Sequence, residues 1–356
     1  MLDALERVQV NSDKDRSGFQ LTFNVSKQSP LMTTLLPAGY FDPMITRVVL
    51  IVTLNGFPNV LMDGIVTQQQ LAPSNEPGQT KLTITGEDLS VLMDVIKIKL
   101  PMPMPQIAQI NLILAKYMVF GIVPIVIPPI VPLIQNPLEK FDFQTGTDRE
   151  HIRSIAANCG YVFYVEPGPA PLTSIAYFGP DVRIPIPQPA LNINMDAHTN
   201  VESLSFTLNG LAKKIIVMTI FDPITKKIPI PIPLPNVSIL RPPLGARLTP
   251  PAKIEFPEEF AMLKPDEAAQ KALGLMWDNS DAVSASGSLD VLRYGRILRS
   301  RLLVGVRGVG LAYDGLYYVN SVTHNIKRGE YKQNFSLSRD GLISLTPLVP
   351  TSSPLP

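Results

Sequence analysis

The chain has 356 residues, and its 31 Lys and Arg against 30 Asp and Glu leave a formal net charge of +1. That balance excludes a globally basic nucleic-acid binder and a strongly acidic tail, and a single cysteine excludes a disulfide framework or a cysteine-rich metal site. Proline is the outlier at 36 residues, about twice the usual ~5%, so the chain is expected to be folded but not mainly helical, because each proline removes a donor and clashes with the preceding helical turn.

Asp3, Glu6, Arg7, Asp13, Lys14 and Asp15 leave no apolar core in the first residues. No secretory signal is expected there, and a reducing cytoplasm is the expected place of synthesis. Phe19–Val25 alternates as a strand does, and Val48–Leu54 is apolar and β-branched. Asn55-Gly56 then supplies a turn signal, followed by strands at Val60–Gln68 and Thr80–Gly86. Residues 1–100 therefore read as a small β unit, sandwich or barrel.

Pro101–Pro105 (PMPMP) is stiff and extended, and Gln106–Tyr117 has helical spacing. Tyr117–Ile134 is uncharged but holds Pro124, Pro128, Pro129 and Pro132. A spanning helix does not tolerate so many unpaired backbone groups, so an extended loop, buried or covered by a partner, is expected and no membrane segment. Thr147–Asn158 is a helix with Thr147 and Glu150 at capping-box spacing, stopped by Gly160. Strands follow at Tyr161–Val165 and Ser174–Phe178, making 101–180 an α+β insert.

Strands return at Val201–Leu208 and Lys214–Ile220. The proline-alternating stretches Ile184–Pro189 and Ile228–Pro235 cannot be fully paired central strands; they read as extended edges or surface arms. Residues 181–256 thus begin a second β unit. Residues 257–300 read as a helical and loop insert, with a short helix at Pro265–Leu273 and a polar surface loop at Asp278–Gly287. Strands at Arg301–Val306, Leu316–Ile326 and Tyr331–Ser338 complete the second unit over 301–345, and 346–356 is a flexible tail.

Chemistry is sparse. Within Asp148-Arg149-Glu150-His151 only Asp148 and His151 share a helix face, and an exposed helix start is the expectation. His198 and His324 lack metal-ligand spacing, and Cys159 reads as a small buried residue. No phosphate loop, dinucleotide fingerprint or nucleophile elbow occurs, and Gly305–Gly310 joins two strands, not a strand and a helix. No catalytic, cofactor-binding or metal residue is assigned, and no cofactor is expected. Arg293, Arg296, Arg299, Arg301 and Arg307 form the densest basic cluster; a protein interface and a solvated face both fit, and nucleic acid fits a neutral chain poorly.

The end of the chain carries a specific pattern. Gly315, Tyr317, Val319, Val322 and His324 lead through Gly329 and Tyr331 into Phe335, Leu337 and Arg339. This resembles the late control D / tail baseplate hub family of contractile phage tails and contractile injection systems. Pro37–Tyr40, Pro58–Thr67, Leu82–Ser90 and the segment from Gln144 to Tyr161 are similar to earlier parts of that family. The resemblance implies an α+β, mainly β fold of two tube-type β-barrel or sandwich domains with α+β inserts. It further implies a structural, non-enzymatic homotrimer whose ring adapts a sixfold tail tube to a threefold spike. The implied partners are tail tube, spike and baseplate wedge proteins, with assembly in the cytoplasm and then residence in a phage tail or injection particle. Ile184, Ile186, Ile228, Ile230 and Ile232 of the proline-alternating arms, with Arg293, Arg296 and Arg299, are the candidate interface residues. A baseplate cell-wall hydrolase, another tail adaptor and a membrane-associated assembly factor are the competing readings.

Overall fold

The computed structural model describes residues 1–14, 16–76, 78–129, 142–183, 187–221, 229–233, 242–255, 270–271, 275 and 281–345. Its first half runs β1 (Leu5–Ser12), β2 (Ser17–Val25), β3 (Arg47–Leu54), β4 (Phe57–Ala72), β5 (Thr80–Asp88), β6 (Ile98–Met102), α1 (Gln106–Ala115), β7 (Ile122–Val126), β8 (Asp142–Gly146), α2 (Asp148–Cys159), β9 (Val162–Pro167) and β10 (Ser174–Gly179). The second half runs β11 (Gln188–Asn192), β12 (Val201–Leu208), β13 (Lys214–Phe221), β14 (Pro229–Pro233), β15 (Gly245–Leu248), β16 (Lys253–Glu255), β17 (Val283–Asp290), β18 (Leu303–Arg307), β19 (Gly315–Lys327), β20 (Glu330–Arg339) and β21 (Gly341–Ser344). The fold is α+β and mainly β.

The strands expected at the two ends of the chain share one 11-stranded sheet, ordered β12-β17-β20-β19-β1-β2-β5-β4-β3, with β18 and β11 branching from β19. The seam is β1, whose Arg7–Ser12 pair antiparallel with Val322–Lys327 of β19. Because β18 pairs with Gly315–Tyr318 of the same strand, β18 and β1 lie end to end along one edge of β19. Nothing in the sequence announced β1. A bulge between Leu5 and Arg7 breaks its alternation, and only Val10 is fully buried. Hydrogen bonding on both edges holds it, while Val10, with Val8 partly buried beside it, adds to the first core.

The expected surface loop 278–287 is corrected in the same sheet. Val283–Gly287 belongs to β17, paired on both sides by β12 and β20. Val283 and Ala285 are buried and Ser284 and Ser286 exposed, so the period-2 pattern is present but written in small residues. Gly287 admits the Phe335 ring, whose Cζ lies 2.7 Å from where a Cβ would stand.

Three large clusters of buried apolar side chains lie along this frame. Phe19, Phe23 and Ile84 belong to the first β unit; Tyr317, Val319, Val322, Phe335 and Leu337 belong to the second. Ile110, Ile113, Ile152, Ile155 and Phe178 form the core of the insert, where α1 and α2 pack with the β7-β10-β9 sheet. β4 joins all three, giving Leu61 to the second unit, Met62 and Val66 to the first, and Ile65 to the insert. Asp63 in its middle is buried and takes two Arg47 bonds of 2.6 Å each, while Arg47 Nη1 donates to Phe120 O at 2.8 Å. First unit and insert are thereby tied through one charge-assisted pair.

The proline-alternating segment behaves as its chemistry requires. Among the described residues β14 pairs only with β13, in the order β14-β13-β16, and so is an edge strand. Pro229, Pro231 and Pro233 have no N–H, and on an edge strand every second donor can be dispensed with. Ile184, Ile186 and Ile228 lie outside the described residues, as do most of the expected helix at 265–273 and the tail 346–356. Ile230 and Ile232 lie on β14, opposite Ile220 and Met218. Of the uncharged run at 117–134, Ile122–Val126 is a strand parallel to β10. No helix among the described residues is long and apolar enough to cross a membrane.

Candidate functional site

The C-terminal motif is a packing unit. Val319, Val322, Phe335 and Leu337 are buried in the second core, Gly329 (φ +77°) makes the β19–β20 turn, and Gly315 (φ +127°) opens β19. Arg339 is 0% exposed, yet no carboxylate among the described residues bonds it. Its guanidinium donates to Gly341 O (2.7 Å), Asp314 O (2.9 Å) and Ala312 O (2.9 Å), and lies 4.4 Å from the centre of the Tyr317 ring. Tyr317 Oη in turn donates to Tyr313 O at 2.7 Å. Arg and Tyr together fasten the loop before β19; burial lowers the Arg339 pKa, and neighbouring Tyr317, Asp340 and Asp314 offset part of that.

His324 is buried, its Nδ1 hydrogen-bonded with Tyr331 Oη at 2.8 Å and 3.3 Å from Gln333 Nε2. Burial, seconded by the Arg299 charge, pulls its pKa down to about 4, so the ring is neutral near pH 7. Gln333 was absent from the sequence expectations. Its carboxamide meets both backbone groups of Leu298, accepting from N at 3.0 Å and donating to O at 2.8 Å. A glutamine buried at an inward strand position was the available signal, since such a group must find partners.

The basic cluster divides on folding. Arg301 is buried, 4.0 Å from the centre of the Tyr164 ring, bonded to Glu166 at 3.3 Å and to Asp13 O. Arg301 thereby joins the insert to the second β unit, within which Arg183 bonds Asp281 twice at 2.8 Å and sits 4.5 Å from the Tyr318 ring centre. A cleft of about 300 Å³ remains between the insert and that unit, lined by Tyr164, Tyr177, Asp181, Arg301 and Tyr318. Arg293, Arg296 and Arg299 stay on the surface, and Arg307 is half-buried.

The start of α2 is not the exposed helix end that was expected. Its capping box is present, but Asp148, Arg149 and His151 are all buried. Asp148 accepts from Gln144 (2.6 Å), Tyr117 (2.7 Å) and Lys116 (2.9 Å), whereas His151 Nε2 meets Gln109 Oε1 at 2.8 Å. Burial raises the Asp148 pKa, and the donors from Gln144, Lys116 and Tyr117 outweigh it, leaving the carboxyl below its ordinary value. These bonds bracket the insert; acid and imidazole take different partners and do not converge on a common point. Cys159 at the far end of α2 is buried beside Gln270, and burial pushes its thiol up to about 12.

The outward face of the long sheet has one chemistry across seven strands, from β12 to β5: Ser, Thr, Asn and Gln. Ser203 meets Ser288 at 2.8 Å, Ser321 meets Ser336 at 2.6 Å, and Thr323 Oγ1 donates to Asn11 Oδ1 at 3.0 Å. Farther along the sheet, Gln20 stands opposite Gln9 and Thr85. Charge enters mainly at one rim, where Lys332 pairs with Glu202 at 2.9 Å and Glu330 at 3.4 Å.

This architecture has counterparts among solved structures. A tail protein of Neisseria meningitidis superposes with a TM-score of 0.63 at 15% identity, over 95% of this chain and 93% of that one. The fold is one that phage tail proteins share. The 43 kDa tail protein of prophage MuSo2 of Shewanella oneidensis gives 0.56 at 12% identity, over 94% of both chains. An E. coli component of the type VI secretion system, described as similar to the T4 bacteriophage tail proteins gp27 and gp5, gives 0.52 at 9% identity over 99% of this chain and 77% of that one. No family model and no curated relative matches the sequence.

Proposed function

We propose that the chain is a structural hub protein of a contractile tail or injection system, three copies of which form a ring between a sixfold tail tube and a threefold spike. The carrying observation is the fusion of two β units into one sheet through the β1–β19 seam. Three such chains place six β units around an axis, matching sixfold and threefold partners at once. Among the described residues the two ends of the sheet, β3 and β12, are unpaired edges, and closing a ring covers such edges. The uncharged hydroxyl and amide face then turns to the lumen, where it holds water and binds neither acidic nor basic material strongly.

Likeness to tail and type VI proteins along nearly the whole chain supports this reading. Its partners are the tube, spike and baseplate wedge proteins, in a particle assembled in the cytoplasm. Residues 1–100 and 181–345 supply the two tube-like units, with 101–180 as insert. The role is architectural, without a catalytic step. The test is reconstitution with tube and spike proteins, followed by light scattering and electron microscopy. The expected result is a trimer on the threefold axis; a chain that stays monomeric with both partners present refutes the proposal.

A further inference from the structure

The segment from Asp290 to Arg299 is held far more firmly than a surface connection requires. Asp290 Oδ1 caps its single helical turn, accepting from the Leu292 and Arg293 amides at 2.8 and 3.2 Å. Tyr294 Oη donates to Pro189 O (2.6 Å), and Asn55 Nδ2 from the β3–β4 turn donates to Gly295 O (3.2 Å). Two successive residues are then each gripped at both backbone groups by a glutamine. Gln333 holds Leu298, and Gln188 holds Arg299, accepting from N at 2.8 Å and donating to O at 2.9 Å.

This framework displays three exposed guanidiniums, Arg293, Arg296 and Arg299, none of which pairs with a carboxylate among the described residues. Some surface cations are neutralised, Lys81, Lys332 and Arg328 being paired with Glu6, Glu202 and Asp3 respectively; these three arginines stand unneutralised within one short segment. Large apolar side chains stand beside the arginines, Leu292 at 68% and Phe57 at 74% exposure. Phe57 belongs to the turn that touches the segment through Asn55 and through Asn59, whose Oδ1 accepts from Arg299 at 3.3 Å. Arginine with exposed aromatic and aliphatic side chains is the composition of a protein interface. A pre-ordered backbone lowers the entropy lost on binding.

We infer that this surface docks an acidic protein segment carrying apolar side chains. Phe57 and Leu292 have no role in a phosphate-tracking stripe, and the net charge of +1 disfavours a polyanion. The inference needs only the single chain and is independent of the ring.

The test is fluorescence anisotropy of the full chain with a short labelled peptide alternating Glu with Phe and Leu, its Gln-for-Glu counterpart, and a short DNA duplex. The acidic peptide binds, and the triple variant Arg293→Glu, Arg296→Glu, Arg299→Glu weakens it by about tenfold or more with unchanged melting. Gln188→Ala keeps every charge and loosens the segment, weakening binding by about threefold. If the triple variant does not fold, Arg293→Ala and Arg296→Ala serve instead, each costing about threefold. Equal binding by the charge-reversed chain, or equal binding of the Gln peptide, overturns the inference. So does tighter binding of the duplex, which gives the surface to nucleic acid, or self-association that the arginine variants abolish, which gives it to a second copy.

Discussion

Replacing Arg339 by alanine removes the one cation that bridges the loop before β19 to the final hairpin. Three hydrogen bonds from a charged donor are lost, each worth about 1.5–3 kcal/mol, or about 4.5–9 kcal/mol if all three carbonyls stayed dry. Ala312 is exposed and Asp314 half-buried, so water reaches those two carbonyls in the variant, and the expected loss is about 3–5 kcal/mol. That is a large part of the ~5–15 kcal/mol that stabilises an ordinary domain. Arg339→Lys keeps the charge and loses the planar fork, so it recovers less than half. Urea unfolding at pH 7 measures both variants. A loss under about 1 kcal/mol for Arg339→Ala would refute the clamp, because a bridge worth so little leaves no reason to bury an arginine unpaired with any acid.

His324 gives a pH signature. Its folded pKa, about 4, lies below the ordinary 6.5, so the unfolded chain binds the extra proton between these values and stability falls as pH drops through that window. Its share is about 3 kcal/mol over the whole window; comparing the pH dependence of unfolding with that of His324→Gln isolates it, and identical slopes would contradict a neutral buried ring. Cys159, with its thiol pushed up to about 12 and buried, is expected to react with a thiol reagent at pH 8 only after denaturation. Fast labelling of the native chain would count against that packing. Gly287→Ala drives a Cβ against the Ser203 carbonyl and the Phe335 ring in the middle of the sheet and is expected to cost about 1–3 kcal/mol by thermal unfolding; a neutral effect would show that both β12 and the ring can give way.

Much of the β framework was legible because its strands alternate strongly. β2, β5, β19 and β20 each bury every second residue over most of their length, and turn signals bound them. The capping box of α2 and its glycine stop were equally plain, being chemistry of adjacent residues. β1 and β17 were not legible. One carries a bulge and charged side chains; the other is built from Ser, Ala and Gly. β1 is held by the adjacent β2 and by β19 near the other end of the chain, and β17 by β12 and β20, both distant from it; pairing partners leave no mark on local composition.

The same division runs through the surfaces. Composition and spacing alone determined a neutral, proline-rich, mainly β chain without a catalytic signature, and proline chemistry alone limited 228–235 to an extended edge or a surface arm. Only the tertiary structure decided which arginines pack and which face water. Arg301 met Tyr164 and Glu166, while Arg293, Arg296 and Arg299 met no acid among the described residues. Only the structure buried the Asp148 helix start and sent its acid and imidazole to different partners. Burial and partnership depend on what lies across the fold, and a side chain's own neighbours in sequence do not encode that.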